Sequence, residues 1–360
     1  MRLFTLKFAF LALLPALLGG CANLGQYVQA VGGQMEVMER SQPIESVIND
    51  PQTNPKLKQK LETALEIRDF ASKDLGLPEN NSYRKYADLK RPFATWNVFA
   101  TPEFSTRPKT WCFVIVGCVS YRGYFSKEDA EAYGKELRDQ GYDVMVAGIP
   151  AYSTLGHFDD PVLNTFINYR ERDLARLIFH ELGHQITYVN GDSVFNESMA
   201  TAIEQEGLRR WAAQTGQSGY ENVDDLRLQR KTQVVNLVMK YRKQLNELYA
   251  SNLGIEEKRQ AKAELFKELV AEHEQLKASW GGHSEFDAWF KHDLNNAKIA
   301  SLSLYTQLVP AFHALLKKDG NDLPAFYQDV KKLAKLPKEQ RMKILHGLTD
   351  RPLLADAQQP

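Results

Sequence analysis

The stretch LIFHELGHQITYVNGDSVFNESMATAIEQEG, residues 177–207, decides how this chain is organised. An α-helix turns by about 100° per residue, so His180 and His184 lie within about 40° of each other on one helical face. Both imidazoles can therefore reach one metal ion. Glu181, beside the first histidine, can reach a water molecule on the open side of that ion. The stretch predicts a metal-binding helix rather than a polar stripe on a surface helix.

A catalytic metal site of this type needs a third protein ligand. Zinc prefers tetrahedral nitrogen and oxygen ligands, and a catalytic zinc keeps three protein ligands and one water. Glu197, 13 residues after His184 (197 minus 184), follows the turn-forming Asn-Gly-Asp-Ser and begins a second helical pattern. We predict that Glu197 is the third ligand. Asp192, in the turn itself, and His157, upstream, are the alternatives.

The composition is that of a globular protein with one large core or two fused lobes. The chain has 360 residues, of which 43% are hydrophobic and 25% are charged. Lysine plus arginine and aspartate plus glutamate both total 45, so no strong basic field exists. This balance argues against nucleic acid as a partner. Nothing in the composition indicates an oligomeric state.

The N-terminus, MRLFTLKFAFLALLPALLGGCAN, has the pattern of an export signal. Arg2 and Lys7 precede an apolar run from Phe8 to Leu18. The run is shorter than the roughly 20 residues that a membrane-spanning helix needs. We therefore expect residues 1–20 to be a removable signal peptide.

Residues 18–21, Leu-Gly-Gly-Cys, resemble the bacterial lipobox, whose cysteine is lipidated and becomes the mature N-terminus. The resemblance implies that Cys21 carries acyl chains that hold the protein at a membrane of the bacterial cell envelope, facing the periplasm. Ala22 replaces the aspartate that is associated with retention at the inner membrane. The resemblance thus favours the outer membrane.

The two remaining cysteines lie in TWCFVIVGCVSYRGYF, residues 110–125. An even number of cysteines in an oxidising compartment suggests a disulfide between Cys112 and Cys118. In an extended chain their separation of six residues would span roughly 20 Å, whereas bridging requires less than ~7 Å between Cα atoms. The chain must turn between them, and Gly117 suits a tight hairpin. Two buried free thiols are the alternative, and a metal-binding cysteine pair is a weaker one.

The remaining pattern predicts an α+β, mostly helical protein. Apolar residues at 61, 65, 67 and 70 mark one helix face, and the aromatic and β-branched residues of 82–125 read as strands and a hairpin. Ser126 is the predicted cap of a helix, and Asp160, before Pro161, is the predicted cap of another. From Glu197 to about 336 nearly everything reads as helix. We divide the chain into 21–125, a metal-binding core at 126–223, a helical hairpin at 224–279 and a C-terminal helical region at 280–360 that completes the site.

The HELGH and NESMATAIE segments, residues 180–184 and 196–204, resemble the zinc-dependent gluzincin peptidases. Those enzymes combine HExxH with a glutamate, often preceded by asparagine, on a following helix, although the gap here is shorter than in the well-known groups. The resemblance implies a zincin-like core with one zinc ion per chain. It also implies that Glu204, at 197 plus 7, orients an imidazole of the first ligand pair.

Most of the chain also resembles predicted bacterial aminopeptidase lipoproteins. The shared segments are the lipobox, WCFVIVGCVSYRGYF, YSTLGHFDDPVL, the HELGH helix and NNAKIASLSLYTQLVPAF. This resemblance implies removal of N-terminal residues from peptides. A zinc endopeptidase of the envelope is one alternative, and a non-enzymatic lipoprotein that binds partners through its helical hairpin is another.

In this hypothesis Glu181 acts as general base and acid. By resemblance, Tyr305 is the expected donor to the oxyanion, and His313 is a weaker candidate. The segment VMVAGIPAYSTLG, residues 144–156, resembles the strand that pairs with a substrate backbone. Carboxylates that could bind a free amino terminus are available at 159, 160 and 171.

Overall fold

The structure, a computed structural model, describes residues 25–113, 117–216, 221–291, 293–304 and 308–349. Cys21, the predicted lipidation site, and Tyr305, the predicted oxyanion donor, lie outside the described residues. The helices are α1 (25–40), α2 (Ile44–Asn49), α3 (Pro55–Lys73), α4 (Lys127–Asp139), α5 (Glu171–Gly183), α6 (Ser193–Gln214), α7 (Glu221–Ala250), α8 (Ile255–Ser279), α9 (Asp287–Lys291), α10 (Asn296–Leu304), α11 (Val309–Lys318), α12 (Leu323–Ala334) and α13 (Lys338–Gly347). The strands are β1 (Ser41–Pro43), β2 (Lys85–Ala87), β3 (Thr95–Pro102), β4 (Trp111–Phe113), β5 (Gly117–Val119), β6 (Arg122–Tyr124), β7 (Tyr142–Ile149) and β8 (Val162–Leu163).

The prediction of an α+β, mostly helical protein is confirmed. The strands form small sheets with the orders β1-β2-β8, β6-β3-β7 and β4-β5. In the second sheet, β3 pairs with both neighbours in antiparallel register. No helix among the described ranges is long and apolar enough to cross a membrane.

The antiparallel sheet has one face in a core and one face on a cleft. Successive side chains of a strand point to opposite faces. Trp96 and Val98 of β3 are therefore buried against α4, whereas Thr95 and Asn97 line the cleft on the other side. Helix α4 begins as predicted, since the Ser126 hydroxyl accepts a hydrogen bond from the Asp129 backbone N–H at 3.1 Å. The sheet thus forms one wall of the cleft.

The main core surrounds the two helices that carry the predicted ligands. In α3, Leu61, Ile67 and Phe70 are buried, as their spacing predicts. The Phe70 ring lies 5.8 Å from that of Phe179 in α5 and 5.0 Å from that of Trp211 in α6. This packing fixes α5 and α6 relative to each other behind the site.

Helices α7 and α8 pack together as the predicted helical hairpin. Their connection occupies residues 251–254, and Val238, Leu245 and Leu269 are buried between them. These residues belong to a core of their own, together with apolar residues of α9 and α10. The hairpin is therefore a second packed unit beside the main core.

The predicted disulfide and hairpin are also confirmed. Cys112 and Cys118 face each other across β4 and β5, with their Cα atoms 3.8 Å apart, and form a disulfide. The alternatives of free thiols and a metal-binding cysteine pair are wrong. Gly117 has a φ of 72°, and a Cβ there would lie only 3.0 Å from the backbone nitrogen of Gly191. The hairpin therefore packs closely against the turn between α5 and α6.

The prediction that Asp160 caps a helix is wrong. The residues after Pro161 form the short strand β8, which pairs in parallel with β2, and α5 begins only at Glu171. The buried Asp160 carboxylate instead accepts a hydrogen bond from the Thr154 backbone N–H at 3.0 Å. Pairing with β2 overrides the local preference of an Asp-Pro pair for a helix start.

Candidate metal centre

Helix α5 carries the two histidines to one end of the main core. His180 lies in its last turn, and His184 is its C-terminal cap residue. The two rings are 4.9 Å apart between centroids and nearly perpendicular. Apolar residues of the opposite face, Ile178, Phe179 and Leu182, are fully buried. Core packing on that face directs the imidazoles toward the cleft.

Helix α6 starts at a fixed point because four polar contacts hold its first turn. The Asp192 carboxylate accepts the Phe195 backbone N–H at 3.2 Å and pairs with Arg341 of α13 at 2.6 Å. The Asn196 amide donates to and accepts from the backbone of Val189, both at 2.9 Å. The asparagine before Glu197 therefore ties the α5–α6 connection to the helix that presents this glutamate.

Close approach of α5 and α6 depends on small side chains. A Cβ on Gly183 would lie 3.3 Å from the Cα atom of Ala200. A Cβ on Gly207 would lie 2.8 Å from both Phe179 and Leu75. Larger residues at these glycines would push α6, and with it Glu197, away from the histidines.

The three predicted ligands meet in one cluster. The Oε2 atom of Glu197 lies 3.3 Å from Nε2 of His180 and 3.7 Å from Nε2 of His184. Zinc bonds of 2.0–2.1 Å in a tetrahedron place neighbouring ligand atoms about 3.3 Å apart. The spacing and the donor set, two imidazoles and a carboxylate, therefore fit a zinc ion.

Glu204 contacts the far side of His180. Its Oε2 atom lies 3.0 Å from Nδ1 of His180, and its Oε1 atom lies 3.1 Å from Nε of Arg176. When Nδ1 carries the proton and donates it to Glu204, the Nε2 lone pair of His180 points at the cluster. Arg176 holds the carboxylate that sets this tautomer.

The electrostatics of the cluster keep His184 neutral and Glu197 ionised. Burial lowers the pKa of His184 to about 4. Burial opposes ionisation of Glu197, but the neighbouring imidazoles outweigh it and lower the pKa of this carboxyl group. Burial also opposes protonation of His180, and hydrogen bonds to Glu197 and Glu204 raise its pKa well above the usual value. A bound cation would replace the proton that those carboxylates otherwise attract to His180.

Glu181 has the protonation behaviour of a general base near neutral pH. Desolvation raises the pKa of its carboxyl group to about 7, His180 opposes the shift, and Glu197 and Asp160 add to it. Efficient proton transfer needs a pKa close to the working pH. The side chain lines the cleft beside both histidines.

The cleft in front of the cluster has a volume of about 870 Å³. Its walls come from α1, the β6-β3-β7 sheet, residues 149–155 and the two ligand-bearing helices. Two of its tyrosines, Tyr121 and Tyr188, interact electrostatically with Glu197. Burial raises the pKa of both, so their hydroxyl groups stay protonated and can donate hydrogen bonds.

These two tyrosines and Arg176 are residues that the sequence patterns did not single out. Arg176 precedes His180 by four residues in α5, so helical spacing offered a signal for it, whereas Tyr188 lies beyond the end of α5 at Gly183. Tyr121 offered none, because only the β5–β6 connection brings it to the cleft. Tyr305 cannot be compared with them, since it lies outside the described residues.

The other candidate residues occupy different places. Asp192 serves as the α6 cap and His157 is exposed on a turn, so neither belongs to the cluster. His313 lies 2.6 Å from the side-chain oxygen of Gln205, which makes it a satisfied core residue. Asp159 pairs with Lys85, and Glu171 accepts a hydrogen bond from the Trp211 indole. Neither carboxylate lines the cleft.

Two histidines and a glutamate within 4.8 Å, a second glutamate beside them and a deep cleft are the features of a hydrolytic metal site. The chain belongs to the Aminopep family, described as "Putative aminopeptidase", which it matches over residues 25–345. The family description supports a peptidase. Neither a curated protein nor a solved structure matches this chain.

Proposed function

We propose that this protein is a zinc-dependent peptidase of the gluzincin type with a zincin-like core, and that it removes N-terminal residues from peptides. The observation that carries the proposal is the cluster of His180, His184 and Glu197 with Glu181 beside it on the cleft. These three ligands would hold one zinc ion per chain. Glu204 supports this assignment because it contacts the outer nitrogen of His180.

When bound, zinc supplies Lewis acidity, which polarises a peptide carbonyl and acidifies water. Glu181 takes the proton of the attacking water and returns it to the leaving nitrogen, and its raised pKa suits both transfers. Tyr121 and Tyr188 offer protonated hydroxyl groups at the cleft to the oxygen that gains negative charge. The predicted role of Tyr305 in the same step stays a prediction.

An endopeptidase is the second candidate, because the described residues of the cleft offer no carboxylate dedicated to a free amino group. Among the described residues that line it, Glu181 and Glu197 are the only carboxylates, and both have other roles. An amino terminus would have to bind backbone carbonyls or the amides of Gln26, Gln29 and Asn97. The backbone of a substrate could pair with the sheet edge at residues 144–156 in an aminopeptidase and in an endopeptidase alike.

The expected location is the bacterial cell envelope. The lipobox resemblance of residues 18–21 supports an acyl anchor on Cys21. We propose that the anchor holds the peptidase at the outer membrane with its cleft in the periplasm. Mass spectrometry of the membrane fraction would detect the acylated N-terminal peptide.

Metal content and peptide cleavage test the function together. Zinc should be near stoichiometric in the full wild-type chain and should be lost in His184→Ala and Glu197→Ala. Glu274→Ala removes a half-exposed carboxylate of helix α8 and serves as the matched control. A panel of unblocked and N-acetylated peptides then separates the two activities.

Cleavage of unblocked peptides alone, one residue at a time, supports the aminopeptidase. Cleavage of internal bonds in both sets supports the endopeptidase. A zinc-loaded wild-type chain that cleaves no peptide contradicts the peptidase and leaves partner binding by the helical hairpin as the remaining hypothesis.

A further inference from the structure

A second space opens on the other side of the cluster, along helix α5. It has a volume of about 560 Å³ and is lined by Tyr169, Arg170, Asp173, Arg176, Leu177, His180, Glu181, Glu204 and Arg227. We call it the arginine pocket. Leu177, His180 and Glu181 line both this pocket and the larger cleft. A peptide bond held at Glu181 would border both spaces.

The arginine pocket concentrates guanidinium groups around one shared carboxylate. Asp173 lies 2.7 Å from Arg170, 3.2 Å from Arg176 and 3.1 Å from Arg227. One aspartate thus neutralises part of three positive charges. The side chains of Arg176 and Arg227 are 31% and 41% exposed, so their remaining N–H donors can be reached by a ligand.

Lys231 of α7 carries a further positive charge, although its side chain does not line the pocket. Desolvation lowers the pKa of Lys231, Glu204 opposes this shift, and the positive charges of Arg176 and Arg227 lower it further. Besides Glu181 at its inner end, the pocket has only Asp173 and Glu204 as carboxylates among its described lining residues.

We propose that the arginine pocket binds a carboxylate of the peptide substrate on the leaving-group side of the scissile bond. Guanidinium groups bind carboxylates through paired charge-assisted hydrogen bonds. With that carboxylate in the arginine pocket, the amino end of the substrate lies in the larger cleft. This inference rests on the proposed function and adds a substrate class, namely peptides that carry an anion shortly after the cleaved bond.

The positions of the pocket residues along α5 set how far the substrate carboxylate should lie from the scissile bond. Arg176 precedes His180 by four residues, or about 6 Å of helix rise, and Asp173 precedes it by seven, or about 10 Å. An extended peptide advances about 3.3 Å per residue. The carboxylate should therefore stand about two to three residues after the scissile bond. Either the C-terminus of a short peptide or an acidic side chain at that position supplies it.

Arg227 is the residue to test, because it contacts neither a predicted metal ligand nor Glu204 in the structure. Its guanidinium group contacts Asp173 and, at 3.8 Å, Glu285. Arg230 lies on the same helix and contacts the same Glu285 at 3.4 Å, but it does not line the pocket. Arg227→Gln and Arg230→Gln therefore remove the same charge from neighbouring positions.

The substrates are Leu-Ala-Ala with a free carboxylate, its C-terminal amide, and amidated peptides with glutamate one, two or three residues after the cleaved bond. For the zinc-loaded wild type we expect kcat/KM to be roughly 10- to 100-fold higher with the free carboxylate than with the amide. Arg227→Gln should reduce this ratio by about fivefold or more, mainly through KM. Arg230→Gln should leave it unchanged.

Binding to Glu181→Gln protein, measured by calorimetry with the same tripeptide and its amide, gives a readout that does not depend on turnover. The free acid should bind more tightly, and adding Arg227→Gln should remove the difference. Recovery by glutamate in an amidated peptide would identify an acidic side chain as the natural source, whereas no recovery would identify the C-terminus.

Equal kcat/KM and equal affinity for acid and amide would overturn the carboxylate site while leaving the peptidase intact. An equal loss in Arg230→Gln would also overturn it, because the effect would then be the general field of α7. Absence of cleavage of every peptide by the zinc-loaded wild type is a different result, which contradicts the proposed function itself.

Discussion

Two clusters of histidine and carboxylate groups in this molecule have the same donor types and opposite surroundings. The first joins His180, His184 and Glu197, and the second joins His273 of α8, Glu274 and Asp287. In the second cluster Lys277 contacts Glu274 at 2.9 Å and Asp287 at 2.9 Å. A lysine ammonium group already supplies the positive charge there.

The pKa of the ligand carboxyl group of Glu197 is lowered, as is that of Asp287, but the carboxyl groups beside the first cluster behave differently. A hydrogen bond from Lys277 lowers the pKa of Asp287. Near the first cluster, burial raises the pKa of Glu181 to about 7 and that of Asp160 to about 6. Beside the first cluster, Arg176 forms an ion pair with Glu204. The two clusters therefore differ in their surroundings and not in their ligand types. Buried carboxylates that no lysine or arginine neutralises favour a bound metal ion at the first cluster.

Glu181→Gln is expected to give the largest effect. Loss of the general base should lower kcat by about 10²- to 10⁴-fold, because glutamine cannot accept the water proton. Bound zinc should stay near one per chain, as measured by metal analysis. Glu274→Gln is the matched change in the second cluster and should leave kcat at the wild-type value. Normal turnover by Glu181→Gln would remove this residue from the chemistry.

Glu204→Gln should have the next largest effect. The amide keeps the shape but loses the charge that holds the His180 proton on Nδ1, and such outer contacts change metal affinity by about 10- to 100-fold. Competition with a zinc chelator measures that affinity. Asp287→Asn, which removes the equivalent charge from the second cluster, should not change it. Equal chelator curves for Glu204→Gln and the wild type would contradict the positioning role.

Asp160→Asn should remove a destabilisation of about 3 kcal/mol at neutral pH. The pKa of Asp160 is raised to about 6 in the fold, so its folded state binds the proton more tightly than the unfolded state. Its contribution is therefore fully present below the unfolded pKa of about 4 and is lost as the pH rises through about 6. An asparagine at this position would keep an acceptor for Thr154 without the buried charge.

Urea unfolding of the wild type and the Asp160→Asn variant between about pH 4 and 8 measures this difference. The variant should lack the wild-type loss of stability between about pH 4 and 6 and should be the more stable protein at about pH 7.5. Asp287→Asn should do the opposite near pH 7.5, because the pKa of Asp287 is lowered and its ionised form is the favoured one in the fold. Parallel pH curves for Asp160→Asn and the wild type would show that Asp160 does not carry an unbalanced charge.

His273→Gln should have the smallest effect on metal content, namely none. Within the described ranges neither ring nitrogen of His273 has a hydrogen-bond partner, and the ring stacks on Phe290 with centroids 3.7 Å apart. The zinc content should stay at one per chain in metal analysis. A fall to half of the wild-type metal content would show that the second cluster also holds an ion and would end the contrast between the two clusters.

Local patterns predicted much of the fold. The spacing of Leu61, Ile67 and Phe70 predicted a buried helix face, and Ser126 predicted a helix start, because both depend on neighbours within a turn or two. The disulfide followed from two cysteines and a glycine that permits the turn. Asp160 misled the prediction, since a tertiary strand pair with β2 outweighed the local signal of Asp-Pro.

The sequence by itself determined the donors, because the HExxH spacing and the turn before Asn196 and Glu197 are local properties of two consecutive helices. The tertiary structure decided how they meet, since the contact of Gly183 with Ala200 and the pair of Asp192 with Arg341 join different elements of the fold. The tertiary structure also determined which charged side chains surround these donors. Arg227 reaches Asp173 across 54 residues, and no periodic pattern encodes a contact of that range.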